Sequence, residues 1–256
     1  MKLAYRKYGS GQPLLILHGL FGQSDNWNSL AKRFGDNGFE VYTIDQRNHG
    51  LSPHSEEFSY ELMADDVKEF IDEHKLQNVI LLGHSMGGKT AMYFALKYKN
   101  VLSKLIVADM APVKYTPHHA DVLKALHAVD FKGVKTRKDA EAILNKYISD
   151  FGTKQFLLKN IYWKDTAGNI MDWRFDLESI TNNYDEILAE VPDASCETPT
   201  LFLRGEKSHY VQDKDLSEIE KRFPNYKLQT IAGAAHWLHA EKPDEFYNDV
   251  INFIKG

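Results

Sequence analysis

One cysteine stands in 256 residues, Cys196, so an internal disulfide is impossible and nothing ties the chain to an oxidising compartment. It lies among polar residues shortly before Pro199, apart from the motifs that suggest chemistry. Long apolar runs are missing as well. None approaches the ~20 residues of a membrane-spanning helix, and the opening MKLAYRKYGSG has no apolar stretch of the kind a secretory leader carries. No block of one charge occurs. Acidic residues outnumber basic ones by 36 to 31, a net charge of −5, which argues against nucleic acid or an anionic membrane as a partner. Internal repeats and low-complexity segments are absent too. These absences point to a soluble protein without stable membrane insertion, expected in the cytoplasm. Its length fits one domain with an insertion, or two small ones.

What is there alternates. Leu3–Tyr8 alternates enough for an edge strand, and Pro13–Leu17, Phe39–Ile44, Val79–Leu82, Leu102–Ala108, Thr200–Leu203 and Tyr226–Ile231 read as further strands. Helical patterns separate them, as at Tyr60–His74 with Leu62, Met63, Val67, Phe70 and Ile71 on one side. Strands alternating with helices predict an α/β protein, a parallel sheet covered on both faces. The rhythm breaks at Ala111-Pro112. From Val113 to about Asp193 no strand-like run is evident, and helical patterns cover Ala120–Val129, Lys138–Phe151, Lys154–Ile161 and Leu177–Leu188. The expected organisation is therefore a core of residues 1–111 and 194–256 with a helical cap, 112–193, inserted over the ligand-binding end of the sheet.

The stretch NVILLGHSMGGKTAMYFALK, Asn78 to Lys97, carries the sharpest signal. A strand, the pattern Gly83-x-Ser85-x-Gly87 and a helix follow one another, which is the context of a nucleophile elbow. A serine raised on so sharp a turn strains its backbone and leaves no room for neighbouring side chains, hence the flanking glycines. The turn presents Ser85 Oγ and aims the Met86 N–H, at a helix N-terminus, towards a developing oxyanion.

An unactivated hydroxyl needs a base. Of eleven histidines, His236 follows the last strand in the small-residue loop AGAAHW, downstream of the serine. His84 should point away from Oγ, His18 should tie down its own loop, and His49 and His239 receive no role. No histidine pair has metal-ligand spacing, and neither a metal nor a cofactor is expected. A second oxyanion donor belongs in the loop after Leu17, where Leu20 is preferred and Phe21 is the alternative. The acid is harder. Where an aspartate commonly follows the penultimate strand, the loop reads Gly205-Glu206-Lys207-Ser208. Asp109, at the end of the strand after the elbow helix, is favoured over Glu206, and Ser208 is placed to add a hydrogen bond to His236 or Asp109.

HGLFGQSDNW, DQRNHGLSP, GHSMGGK, DMAPVKY and AGAAHWLHAEKPD together resemble the α/β-hydrolase superfamily, and more narrowly the YbfF-type esterases and their abhydrolase-domain relatives. The similarity spans nearly the whole chain. It implies an α/β-hydrolase fold: a mostly parallel eight-stranded sheet, helices on both faces and a small helical cap. It implies cofactor-free hydrolysis of short- to medium-chain acyl esters, acyl-CoA thioesters included. It also implies Ser85 as nucleophile, His236 as base and Asp109 as acid, with Ser208 matching a serine near the triad. Carbon–carbon bond hydrolysis and perhydrolysis would use the same triad. A catalytically silent ligand receptor would be expected to show a damaged elbow, and this one is intact.

Overall fold

The structure is a computed structural model that describes residues 1–168 and 170–256. The first half lays down β1 (Tyr5–Tyr8), β2 (Gln12–Leu17), α1 (Asn28–Gly35), β3 (Phe39–Ile44), α2 (Tyr60–Glu73), β4 (Val79–His84), α3 (Met86–Lys97) and β5 (Leu102–Ala108). The chain then leaves the sheet for α4 (Ala120–His127), α5 (Arg137–Leu144), α6 (Phe151–Leu158), β6 (Ile161–Asp165), β7 (Ile170–Trp173), α7 (Leu177–Asn182) and α8 (Tyr184–Leu188). It returns with β8 (Thr200–Gly205), α9 (Leu216–Arg222), β9 (Tyr226–Ile231), α10 (Leu238–Glu241) and α11 (Pro243–Lys255).

The main sheet has seven described strands in the order β1-β3-β2-β4-β5-β8-β9. Only β1, on the edge, runs antiparallel to its neighbour. Seven is also the number of strands read from the sequence pattern. The eighth strand implied by the resemblance has no counterpart among the described residues.

Alternation along each strand divides the core in two. Leu15, Leu17, Leu81 and Val107 point to one face, where α2, α3 and α9 cover them through Val67, Phe70, Met92, Phe94 and Ile219. Leu14, Ile16, Ile80, Leu82 and Ile106 point to the other, under Leu30 and Phe34 of α1 and Phe246 and Val250 of α11. Both faces are dry, as a parallel sheet requires. Each such side chain contributes roughly 1.5–3 kcal/mol by its burial. Cys196 belongs to this core too: it is buried among the residues of the first face.

Between β5 and β8 the expected all-helical pattern is wrong in one place. Ile161–Asp165 and Ile170–Trp173 pair as an antiparallel hairpin. The two strands are short and partly exposed, with Lys164, Asp165 and Asp172 interrupting the apolar residues, so neither carries the continuous apolar run of a buried strand. The pattern over Lys138–Phe151 breaks after Leu144, and that over Leu177–Leu188 splits at Asn183 into α7 and α8. A third apolar cluster joins these elements to Leu20, Phe21, Tyr60, Met63 and Met86 of the sheet-bearing part. No helix among the described residues is long and apolar enough to cross a membrane.

Candidate active site

The strand order explains the site. Neighbouring strands β4, β5, β8 and β9 end on one edge of the sheet, so Ser85, Asp109, Ser208 and His236 come together although 151 positions separate the first from the last. Ser85 follows β4 with φ +53° and ψ −118°, a left-handed conformation unusual for a residue with a side chain. The glycines beside it are steric requirements. A Cβ on Gly83 would lie 2.0 Å from the Gly87 carbonyl oxygen, and one on Gly87 would lie 2.4 Å from that of Leu17. Asp109 is also left-handed, at φ +52°. Its N–H donates to the Leu203 carbonyl at 2.7 Å, which holds the strained residue between β5 and β8.

His236 bridges the other two side chains. Its Nε2 is 3.0 Å from Ser85 Oγ, and its Nδ1 is 2.7 Å from Asp109 Oδ2. Because a carboxylate only accepts, Nδ1 carries the proton and Nε2 is free to take one from the hydroxyl. Asp109 is fully buried and receives two further donors, the Gly205 N–H at 3.1 Å and the Ser208 hydroxyl. Glu206 faces elsewhere and accepts the Gly233 N–H at 2.7 Å. Burial raises the Asp109 carboxyl, an effect opposed by the Ser208 and Gly205 hydrogen bonds, and lowers the His236 imidazole. The ring is therefore neutral at neutral pH, the state in which Nε2 can accept a proton.

Aromatic groups fix that ring. Tyr210 stacks on His236 with centroids 3.9 Å apart, and its hydroxyl meets His118 Nε2 at 2.5 Å. His84 turns away from Oγ, as expected, and its Nε2–H donates to the His236 carbonyl at 2.9 Å. His239, the other histidine without an expected role, stacks on Trp27 at 4.2 Å.

The loop after β2 is held just as firmly. His18 braces its own loop, as expected: its Nδ1–H donates to the Gly19 carbonyl at 2.8 Å and its Nε2 accepts the Gln46 N–H at 3.0 Å. Phe21, at φ +59°, has both backbone groups engaged. Its N–H donates to His49 Nε2 at 3.2 Å, and its carbonyl accepts from Asn160 Nδ2 at 2.8 Å. Of the two donors weighed for an oxyanion, Phe21 is thus occupied, and Leu20 N–H has no acceptor among the described residues.

Two cavities meet at Ser85, one of about 230 Å³ and one of about 20 Å³, and Leu20, His118, His119 and Tyr210 border both. Tyr184 OH accepts the backbone N–H of His118 at 3.4 Å and of His119 at 3.1 Å, so its own proton goes to His119 Nδ1 at 2.8 Å. The remaining ring donor of His119, Nε2–H, is left without a protein partner among the described residues. A larger groove of about 720 Å³ lies elsewhere, between α4, β7 and α7, and contains none of these groups.

Sequence reasoning missed Tyr210, His119 and Asn160, and it left His49 without a role. No signal was available, since each acts through a partner far away in the chain; Asn160 and Phe21 are 139 positions apart. Among the described residues no three His, Cys, Asp or Glu side chains gather as a metal site would require.

A family model described as the alpha/beta hydrolase fold matches residues 12–135. The chain is 39% identical over 249 residues to the sn-1-specific diacylglycerol lipase ABHD11 of Mus musculus, covering 94% of this chain and 80% of the mouse protein. It is 34% identical over 246 residues to Esterase YbfF of Escherichia coli, covering 96% and 94% of the two chains. Among solved structures, a marine microorganism esterase superposes with a TM-score of 0.95 at 45% identity, over 98% of this chain and 99% of that one. A whole-length likeness at these identities, on a sheet whose edge assembles the serine, histidine and aspartate, places the chain in the α/β-hydrolase fold family, among its esterases and lipases.

Proposed function

We propose that the protein is a serine carboxylesterase acting on short- to medium-chain acyl esters, and on acyl-CoA thioesters, through an acyl-enzyme. The observation that carries this reading is the unbroken relay from Ser85 Oγ through His236 to buried Asp109, opening into a cavity. Ser85 attacks the carbonyl carbon while His236 Nε2 takes the hydroxyl proton. The N–H groups of Met86 and Leu20 hold the oxyanion, and each such donor is typically worth about 2.7–4 kcal/mol in the transition state. Collapse breaks the bond to the leaving oxygen or sulfur, which receives the proton from His236. Water then attacks the acyl-enzyme, with the same imidazole as base, and the acid leaves.

Asp109 keeps the proton on Nδ1 and balances the imidazolium, and Ser208 holds the carboxylate that does so. Residues 112–193 act in this reading as a cap whose α6 and α8 wall the cavities. Replacing Ser85 by Ala should abolish hydrolysis of p-nitrophenyl acetate. A Ser85→Ala protein that retained the wild-type rate would overturn the reading.

A further inference from the structure

The two cavities at Ser85 differ in volume by about an order of magnitude, and only one of them touches His236. That asymmetry assigns the two arms of the ester. Once the carbonyl carbon sits at Ser85 Oγ with its oxygen between the N–H groups of Met86 and Leu20, two substituents remain. One is the acyl chain. The other is the leaving oxygen, which must lie within hydrogen-bond reach of His236 Nε2 to receive its proton.

His236 and Trp237 line the cavity of about 230 Å³, together with Val122, Phe156 and Leu157. The cavity of about 20 Å³ also opens on Ser85, is walled by Tyr60, Met86, Met110, Tyr115, Ile187 and Leu188, and does not reach His236. The alcohol arm therefore occupies the wide cavity and the acyl arm the narrow one. A volume of about 10–15 Å³ on this measure is what one water-sized group needs. The narrow cavity thus takes a methyl group, or little more. Its walls are well placed to stay closed. Tyr60, Met86 and Ile187 belong to one apolar cluster, and the Tyr60 hydroxyl donates to the Ile187 carbonyl at 2.8 Å.

We infer that the enzyme takes acetyl-sized acyl groups carried on larger alcohols, an inference that rests on the proposed ester hydrolysis and narrows its acyl range. The test is two substrate series on the wild-type protein. In one the alcohol is constant: p-nitrophenyl acetate, butyrate and octanoate. In the other the acyl group is constant: methyl, butyl and hexyl acetate in a pH-stat, whose leaving groups are of similar basicity. One methylene in a fitted pocket changes specificity roughly 10–200-fold. On that scale, kcat/KM should fall at least about tenfold from acetate to butyrate, and it should hold or rise along the acetates.

Ile187→Ala, which enlarges the narrow cavity, should raise the butyrate-to-acetate ratio about tenfold, and Phe156→Ala should change the acetate series alone. If Ser85-dependent hydrolysis is found but butyrate or octanoate matches acetate, the assignment of the arms is wrong and the esterase reading stands. If no ester is hydrolysed in a Ser85-dependent way, both fall.

Discussion

Lys89, on the helix α3 that follows Ser85, should cost the fold stability at neutral pH and recover it in alkali. Its side chain is fully buried, 0% exposed. The ammonium donates to the carbonyls of Leu188, at 3.2 Å, and Ala189, at the end of α8. It also lies 4.7 Å from the centre of the Tyr115 ring. Burial lowers its pKa from 10.5 to about 7. Between those two values the unfolded chain binds a proton that the folded chain does not, so this group's contribution to stability rises with pH across that window. The full span corresponds to about 5 kcal/mol, and the part between pH 7 and 9 to about 2 kcal/mol, because the folded lysine is already half deprotonated at pH 7. Lys89→Met removes the titration and leaves two carbonyls without a donor, each at a cost of about 1–3 kcal/mol. Urea unfolding of both proteins at pH 7, 8 and 9 reads the difference, since every other titrating group cancels. The wild type should gain about 2 kcal/mol on the variant over that range. Parallel pH dependences would refute the reasoning.

Other expectations follow from the site. Asp109→Asn should reduce kcat by up to about 10⁴-fold by placing the wrong tautomer at His236, and Glu206→Gln should leave it within a factor of a few; the reverse order in side-by-side assays would move the acid to Glu206. Because burial lowers His236 below the ordinary imidazole value of ~6.5, the acid limb of kcat/KM should lie below pH 6.5, and a midpoint at or above 7 would contradict a buried neutral base. Asn160→Leu deprives the Phe21 carbonyl of its donor. The loss of about 1 kcal/mol of support for the loop after β2, which carries the proposed oxyanion donor Leu20, should lower kcat up to about tenfold with KM little changed. A KM effect alone would mean that Asn160 only packs the segment between β5 and β8.

Much of the fold was legible because strands of a covered sheet are written either as short runs rich in apolar residues or as apolar and polar residues in alternation. Phe39–Ile44, Leu102–Ala108 and Tyr226–Ile231 are strands over the same residues that the pattern marks. The hairpin of β6 and β7 was illegible for the opposite reason: two short, half-exposed strands bury too little to impose a pattern. Ser85 was readable because its turn is local and its glycines are steric necessities adjacent in sequence. His236 and Asp109 could be ranked by position at the ends of strands, since topology brings strand ends to one edge.

The sequence by itself determined the α/β layering, the strained serine turn and the residues able to assist it, all of which depend on neighbours a few positions apart. Only the tertiary structure decided that Asp109 rather than Glu206 meets the imidazole, that Phe21 donates to His49 while Leu20 N–H has no acceptor among the described residues, and that the two cavities at Ser85 are so unequal. Those outcomes turn on differences of about an ångström in where groups far apart in the chain are placed, or on which of two adjacent N–H groups a distant ring captures. Local propensity and periodicity carry no information at that range; packing sets it.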